Sequence, residues 1–301
     1  MYKVDNYING KSCSISTQSS PIINPSYGHE IGEVHYATTE SANLAVESAY
    51  EAAKSWSKTG LTYRAELILK FRQSVIDRSS EIIDICINEA GKTKPDAEAE
   101  LDRAVQALTH VAGIQHFYPT HFSQNIAGGI DIADLRFPIG VVAGVGPFNF
   151  PILIPILHSS MALVTGNTYI AKPSEKVPSI SRLYADIYED IGLPNGCFNV
   201  INGNKDIVEL LVRHEKVNGL AFIGSTAAAK SLKILGVEHN TKVQALGGGK
   251  NHMIVLPDAD LDMSADAAVS ASFGAAGQRC MAVSVVVAVG DIADELSLIH
   301  I

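Results

Sequence analysis

Two periodicities divide the chain. Residues 40–57, ESANLAVESAYEAAKSWS, repeat apolar positions at helical spacing, with Leu44, Ala45, Ala49, Ala52, Ala53 and Trp56 on one broad face. Helical spacing continues over 62–90, broken near Ser79-Ser80, and again from about Lys94 to Phe117. Residues 124–137, QNIAGGIDIADLRF, alternate around Gly128-Gly129 and predict a hairpin. From Pro138 onward short apolar runs alternate with helical segments. The runs are GVVAGV (140–145), NTYIAK (167–172), CFNVIN (197–202), GLAFIG (219–224), VQAL (243–246) and HMIVL (252–256). Between them lie PILIPILHSSMALVTG, SISRLYADIYEDIG, residues 205–214 and STAAAKSLKIL, all with helical spacing. Strands that are apolar on both faces predict a parallel sheet covered by helices on each side, an α/β fold. Such sheets bind ligands beyond the carboxyl ends of their strands.

Composition narrows the classes. The chain has 301 residues, 47% hydrophobic and 18% charged, which describes an ordered globular protein of about two domains. A net charge of -9 supplies no basic footprint for nucleic acid. Phe137 to Ala171 carries no Lys, Arg, Asp or Glu, yet Pro138, Pro147, Pro151 and Pro155 interrupt any continuous helix. A buried strand-loop-helix unit is expected there, not a membrane span. The start, MYKVDNYING, lacks an apolar signal core, so a cytoplasmic, bacterial-type protein without a targeting segment is expected. Cys13, Cys86, Cys197 and Cys280 are scattered without a CxxC pair, which argues against zinc or a disulfide scaffold.

Candidate chemistry collects where strands end. Phe222-Ile-Gly-Ser-Thr226 closes one strand and opens a helix. Backbone donors and the helix dipole there suit a phosphate, although Ser225 equally suits an ordinary N-cap. No G-x-G-x-x-G is present. Lys172-Pro-Ser-Glu175 follows another strand and reads either as a ribose-binding pair or as a solvated charged loop. Pro147-Phe-Asn-Phe-Pro151 is a stiff loop, in which Asn149 is either a turn residue or an amide donor to a developing oxyanion. In FGAAGQRCMAVS (273–284), Cys280 follows Arg279 and a run of small residues. That thiol is a packing residue or a nucleophile.

Taken in order, PFNFP, KPSE, FIGST, LGGGK and GQRC resemble the aldehyde dehydrogenase superfamily, from about Tyr7 to Leu296. The resemblance implies an aldehyde dehydrogenase-like fold. Residues 1–245 would form a Rossmann-like parallel-sheet NAD-binding domain, with 124–137 as an oligomerisation hairpin. Residues 246–301 would begin an α/β catalytic domain that is C-terminally truncated. The resemblance makes Cys280 the nucleophile, and Asn149, with the Cys280 backbone N–H, the oxyanion donor. Lys172 and Glu175 would contact the adenosine ribose, with NAD preferred to NADP, and Ser225 the pyrophosphate. Gly146, Phe148, Lys176 and Gly247 would line the cofactor, Lys176 standing where relatives often carry Arg.

Hydrolytic members carry an E-L-G-G-K segment whose glutamate activates water. Here the segment reads Leu246-Gly-Gly-Gly-Lys250, and leucine cannot accept a proton. VQALGGGKNHMIVLPDADLD and GQRCMAVS together resemble the CoA-acylating, methylmalonate-semialdehyde dehydrogenase branch. That branch implies Arg103 and Arg279 as carboxylate-binding groups, a role suited to the guanidinium fork. Arg103 could instead form a surface ion pair with Asp102 or a neighbouring helix. The implied reaction oxidises methylmalonate or malonate semialdehyde with NAD, uses coenzyme A as co-substrate and releases CO2, in a homodimer or homotetramer at full length. Two other classes stay open: a CoA-independent, NAD-dependent aldehyde dehydrogenase, and an inactive nucleotide-binding fragment.

Overall fold

The computed structural model describes residues 2–16, 18–118 and 120–300. It divides after Leu246 into two compact units, one residue from the expected boundary.

The first unit opens with five short strands: β1 (Tyr2–Val4), β2 (Asn6–Ile8), β3 (Lys11–Cys13), β4 (Ser19–Ile23) and β5 (Glu30–His35). Four helices follow, α1 (Thr39–Trp56), α2 (Leu61–Asp77), α3 (Ser79–Ala90) and α4 (Lys94–Ala112). The expected break between α2 and α3 falls at Arg78, which leaves helical geometry at φ -99 and ψ 19. The fourth helix stops at Ala112, short of the expected Phe117, because Gly113 opens a single 3-10 turn over Gly113–His116.

A hairpin comes next, β6 (Phe122–Ala127) and β7 (Ile130–Ala133). It turns on Gly128-Gly129, where Gly129 has φ +85, a conformation that glycine adopts without steric cost. Pairing ends at Ala133, earlier than the expected residue 137. Every strand residue of the hairpin is exposed, including Phe122, Ile126, Ile130 and Ile132.

The alternating segment then runs β8 (Val141–Val145), α5 (Leu153–Val164), β9 (Thr168–Lys172), α6 (Ser179–Asp190), β10 (Phe198–Val200) and α7 (Lys205–Arg213). It closes with β11 (Val217–Ile223), α8 (Thr226–Glu238) and β12 (Lys242–Leu246). These strands build a seven-stranded sheet in the order β12-β11-β8-β9-β10-β2-β3. Strands β8 to β12 pair in parallel, whereas β2 and β3 add antiparallel at one edge. The sheet is therefore mixed, a departure from the all-parallel expectation. Three-residue strands are too short to show a periodicity in sequence.

Alternate residues of the central strands β8 and β9 feed opposite cores. Tyr169 and Ala171 of β9 pack with α2, α5 and α6 on one face, while Ile170 packs with α1, α7 and α8 on the other. All five residues of β9 are buried, as the pattern TYIAK requires. Tyr169 reaches across its neighbour β8 over Gly144, where a β-carbon would collide with the tyrosine hydroxyl. Its ring also stacks on Phe198, with centroids 5.8 Å apart.

In the second unit, β13 (Asn251–Val255) and β14 (Val283–Ala288) pair in parallel. Helices α9 (Leu261–Phe273) and α10 (Ala293–His300) complete it. Val255, Ala265 and Leu296 form its small core, and Ile254 is left 65% exposed. Among the described residues, no helix is long and apolar enough to cross a membrane.

Gly144→Ala should lower the stability of the first unit by roughly 1–3 kcal/mol, the usual cost of overpacking a filled core. Urea unfolding followed by far-ultraviolet circular dichroism measures it. Combining Gly144→Ala with Tyr169→Phe, which removes the colliding oxygen, should recover part of the loss.

Candidate nucleotide pocket and nucleophile loop

Strand order decides where a ligand can enter the first unit. Chain connection runs from β8 to β9 and β10 on one side and resumes at β11 and β12 on the other. Loops at the carboxyl ends of β8 and β11 therefore diverge and leave a crevice between them. The loop after β8 holds Gly146, Phe148 and Asn149, and the loop after β9 follows Lys172 to Glu175 and Lys176. The turn after β11 holds Gly224 and Ser225.

A cavity of about 530 Å³ lies at this edge. Val145, Phe222, Ala228 and Leu232 give it apolar walls, while Lys172 and Glu175 supply charge. Lys172 is buried, and its Nζ lies 3.7 Å from Glu175 Oε2. Burial pulls the ammonium pKa down, and the Glu175 carboxylate opposes that shift. A buried cation with one carboxylate at that distance suits a ligand bearing both hydroxyl donors and acceptors. The Gly146 N–H donates to the Lys172 carbonyl at 3.0 Å, which ties two of the loops together. Lys176 Nζ sits 4.8 Å from the Phe148 ring centroid, so these two residues form one cation–π contact.

Ser225 is the N-cap of α8, and its Oγ accepts from Ala228 N at 3.3 Å. The capping role and a place at the crevice are both present. Gly224 has the Phe222 ring against it, where a β-carbon would come within 2.5 Å of the ring. Tyr36, Asn204 and Lys205 also line the cavity, and the motif reading missed them. Asn204 caps α7 just after β10, so its position beyond a strand's carboxyl end was the available signal. Tyr36 follows β5 of a separate sheet and offered none.

Arg103 is exposed on α4, and its Nη1 donates to Gln106 Oε1 at 3.0 Å, in place of the Asp102 pair considered above. Lys172, the last residue of β9, and Gly146, Phe148, Asn149, Glu175, Lys176 and Ser225, on the loops beyond the strands, thus all lie at the carboxyl edge of one sheet. Gly247, Arg279 and Cys280 belong to the second unit.

The four cysteines differ in exposure. Cys86 and Cys197 are buried, and burial pushes each thiol up to about 12. Cys13 is half-buried, whereas Cys280 is exposed. Asn251 Nδ2 donates to the carbonyls of Cys280 and Ala282 at 2.8 and 3.0 Å, which pins the loop to the start of β13. The preceding run bends sharply: Ala275, Ala276 and Gly277 have φ of 52, 55 and 70. For alanine that conformation costs roughly 1–2 kcal/mol per residue. A β-carbon at Gly274 would come within 2.7 Å of Arg279 Nη1. Gly274 thus leaves room for the guanidinium of the residue that precedes Cys280.

Comparison with known proteins decides the family. The aldehyde dehydrogenase family matches residues 13–298. The chain belongs to that family. It is 38% identical over 292 residues to a malonate-semialdehyde dehydrogenase of Bacillus pumilus, covering 97% of this chain and 60% of that protein. Malonate-semialdehyde dehydrogenase 1 of Geobacillus thermodenitrificans is 40% identical over 294 residues, with the same coverage. Among solved structures, a methylmalonate-semialdehyde dehydrogenase from Oceanimonas doudoroffii superposes with a TM-score of 0.96 at 36% identity, over 100% of this chain and 62% of that one. A Sinorhizobium meliloti structure described as a methylmalonate-semialdehyde dehydrogenase complexed with NAD gives 0.96 at 38% identity, with the same coverage. The chain spans about three fifths of the length of the curated relatives it matches. The family's α/β fold is shown, and its members use NAD or NADP.

Glu175 generates a test that needs no turnover. Its carboxylate at the cavity wall should repel a ribose 2′-phosphate, though Lys172 at 3.7 Å offsets part of that repulsion. Calorimetric titration of the chain should favour NAD over NADP by roughly tenfold or more. Glu175→Gln should narrow the gap. Equal affinities in the unmodified chain would remove Glu175 from the ribose site.

Proposed function

We propose that this chain serves the NAD-dependent, CoA-acylating oxidation of methylmalonate or malonate semialdehyde. One observation carries the reading: Leu246 stands where hydrolytic relatives place their water-activating glutamate, in a chain whose exposed thiol adjoins Arg279. The printed names of the relatives, malonate- and methylmalonate-semialdehyde dehydrogenases, support the same substrate class.

Residues of the cavity fit a dinucleotide. Apolar walls suit an adenine ring, and the Lys172–Glu175 pair suits ribose hydroxyls. Beside the cavity, Ser225 at the start of α8 suits the pyrophosphate, and Gly146, Phe148 and Lys176 on the neighbouring loops suit the remainder. NAD bound there supplies the hydride acceptor.

In the mechanism, the Cys280 thiolate adds to the aldehyde carbon, forming a C–S bond and moving the carbonyl electron pair onto oxygen. The Asn149 amide and the Cys280 backbone N–H donate to that oxyanion. As the carbonyl re-forms, hydride leaves the carbon and a thioester remains on Cys280. Arg103 and Arg279 hold the substrate carboxylate. Loss of that carboxylate as CO2 leaves its electron pair in the thioester enolate, which takes up a proton. The CoA thiolate then attacks the thioester carbonyl and expels the Cys280 thiolate. With leucine at 246, water has no base to compete. The exposed apolar hairpin β6–β7 supports assembly with a second copy of the chain.

With NAD and malonate semialdehyde but no CoA, the protein should release about one NADH per active site and then nearly stop. Adding CoA should restore steady turnover and yield acetyl-CoA and CO2, and Cys280→Ala should abolish both phases. Sustained formation of free acid without CoA would establish a hydrolytic enzyme instead. Tight NAD binding with no burst would establish a nucleotide-binding chain.

A further inference from the structure

The most deeply buried ion pair among the described residues is not at the cavity. Lys92, between α3 and α4, places Nζ 2.6 Å from Glu100 Oε2, with side chains 7% and 1% exposed. A buried pair of this kind adds little to stability compared with apolar residues of the same shape. Its other contacts point to what it does. Glu100 Oε1 accepts from the backbone N–H groups of Ile152 and Leu153, both at 2.8 Å. Ile152 is the N-cap of α5 and receives no cap from its own side chain. Glu100 supplies the missing acceptor from another helix, as a carboxylate at the positive end of the α5 dipole. Lys92 Nζ, besides neutralising Glu100, lies 4.3 Å from the Phe150 ring centroid. The Ile152 carbonyl accepts from the Tyr184 hydroxyl at 3.1 Å, so that residue is held through both its backbone groups. At the other end of the loop, Gly146 is fixed to Lys172.

Asn149 sits between these anchors, one residue before the ring that Lys92 covers and three before the first amide that Glu100 holds. We propose that Glu100, braced by Lys92, is a positioning residue for the Asn149 loop. It fixes the backbone of residues 150–153, so that the Asn149 amide is already oriented when negative charge develops on a substrate oxygen. An oxyanion donor acts through such preorganisation, and a small displacement of its loop forfeits most of the effect. The consequence for rate rests on the function proposed above, whereas the anchoring of the loop does not.

Two double variants isolate the acceptor. Lys92→Met with Glu100→Leu removes both charges and leaves the Ile152 and Leu153 amides unpartnered. Lys92→Met with Glu100→Gln is equally neutral and of similar volume but keeps a carbonyl oxygen. Replacing both partners avoids an orphaned buried charge, so both chains should fold. Residue-resolved hydrogen exchange should show Ile152 and Leu153 opening about tenfold faster in the leucine variant, the loss expected for one net hydrogen bond. Amides of β8 and β9 should keep their protection, and the glutamine variant should stay near the unmodified chain. In turnover, the leucine variant should lose roughly a hundredfold in kcat with little change in the aldehyde KM, and glutamine should rescue it. Equal exchange in the two variants would overturn the anchoring, and a loosened loop with unchanged kcat would overturn the positioning role. If the unmodified chain oxidises no aldehyde, the proposed function falls, while the exchange comparison still decides the anchoring.

Discussion

Parallel strand pairing is the constraint on which the first unit depends. Strands that run the same way cannot be joined by a tight turn, so each must be followed by a crossover. The crossovers here are α5, α6, α7 and α8, and they cover both faces of the sheet. As a result every strand from β8 to β12 ends on one edge, and the loops that carry polar chemistry are gathered there. Residues as distant in sequence as Gly146, Lys172 and Ser225 share that edge because backbone pairing leaves them no other. The cost is that sheet residues must suit both faces, which is why Gly144 yields space to Tyr169.

That logic explains which features were legible in the sequence. Continuous apolar runs such as TYIAK are buried on both faces, and each expected strand from 140 to 256 is present at or near its expected limits. Motifs at strand ends were legible for the same reason. The short strands β1 to β3 were not, because three residues cannot display alternation and their pairing is made with partners far along the chain, Tyr7 with Val200 for example. Nor was the Lys92–Glu100 pair. Two charges in a helical region read as solvated surface, and only tertiary packing shows that they are buried against the start of α5. Tyr36 reaches the cavity from another sheet and has no local signature.

The second unit shows a different use of small residues. The backbone turns through left-handed geometry at Ala275, Ala276 and Gly277, and Arg279 lies against Gly274 just before them. A β-carbon at Gly274 would close the space that the Arg279 guanidinium occupies. Cys86 and Cys197, with thiols pushed up by burial, are packing residues, and exposure singles out Cys280.

The central claim is that the carboxyl edge of the first sheet is the dinucleotide site. Backbone NMR of the 301-residue chain titrated with NAD tests it most directly. The expected result is a set of saturable shifts concentrated in residues 145–149, 172–176 and 222–228, with the hairpin β6–β7 unaffected. Saturable shifts that cluster away from these three loops, or no shifts at all, would contradict it.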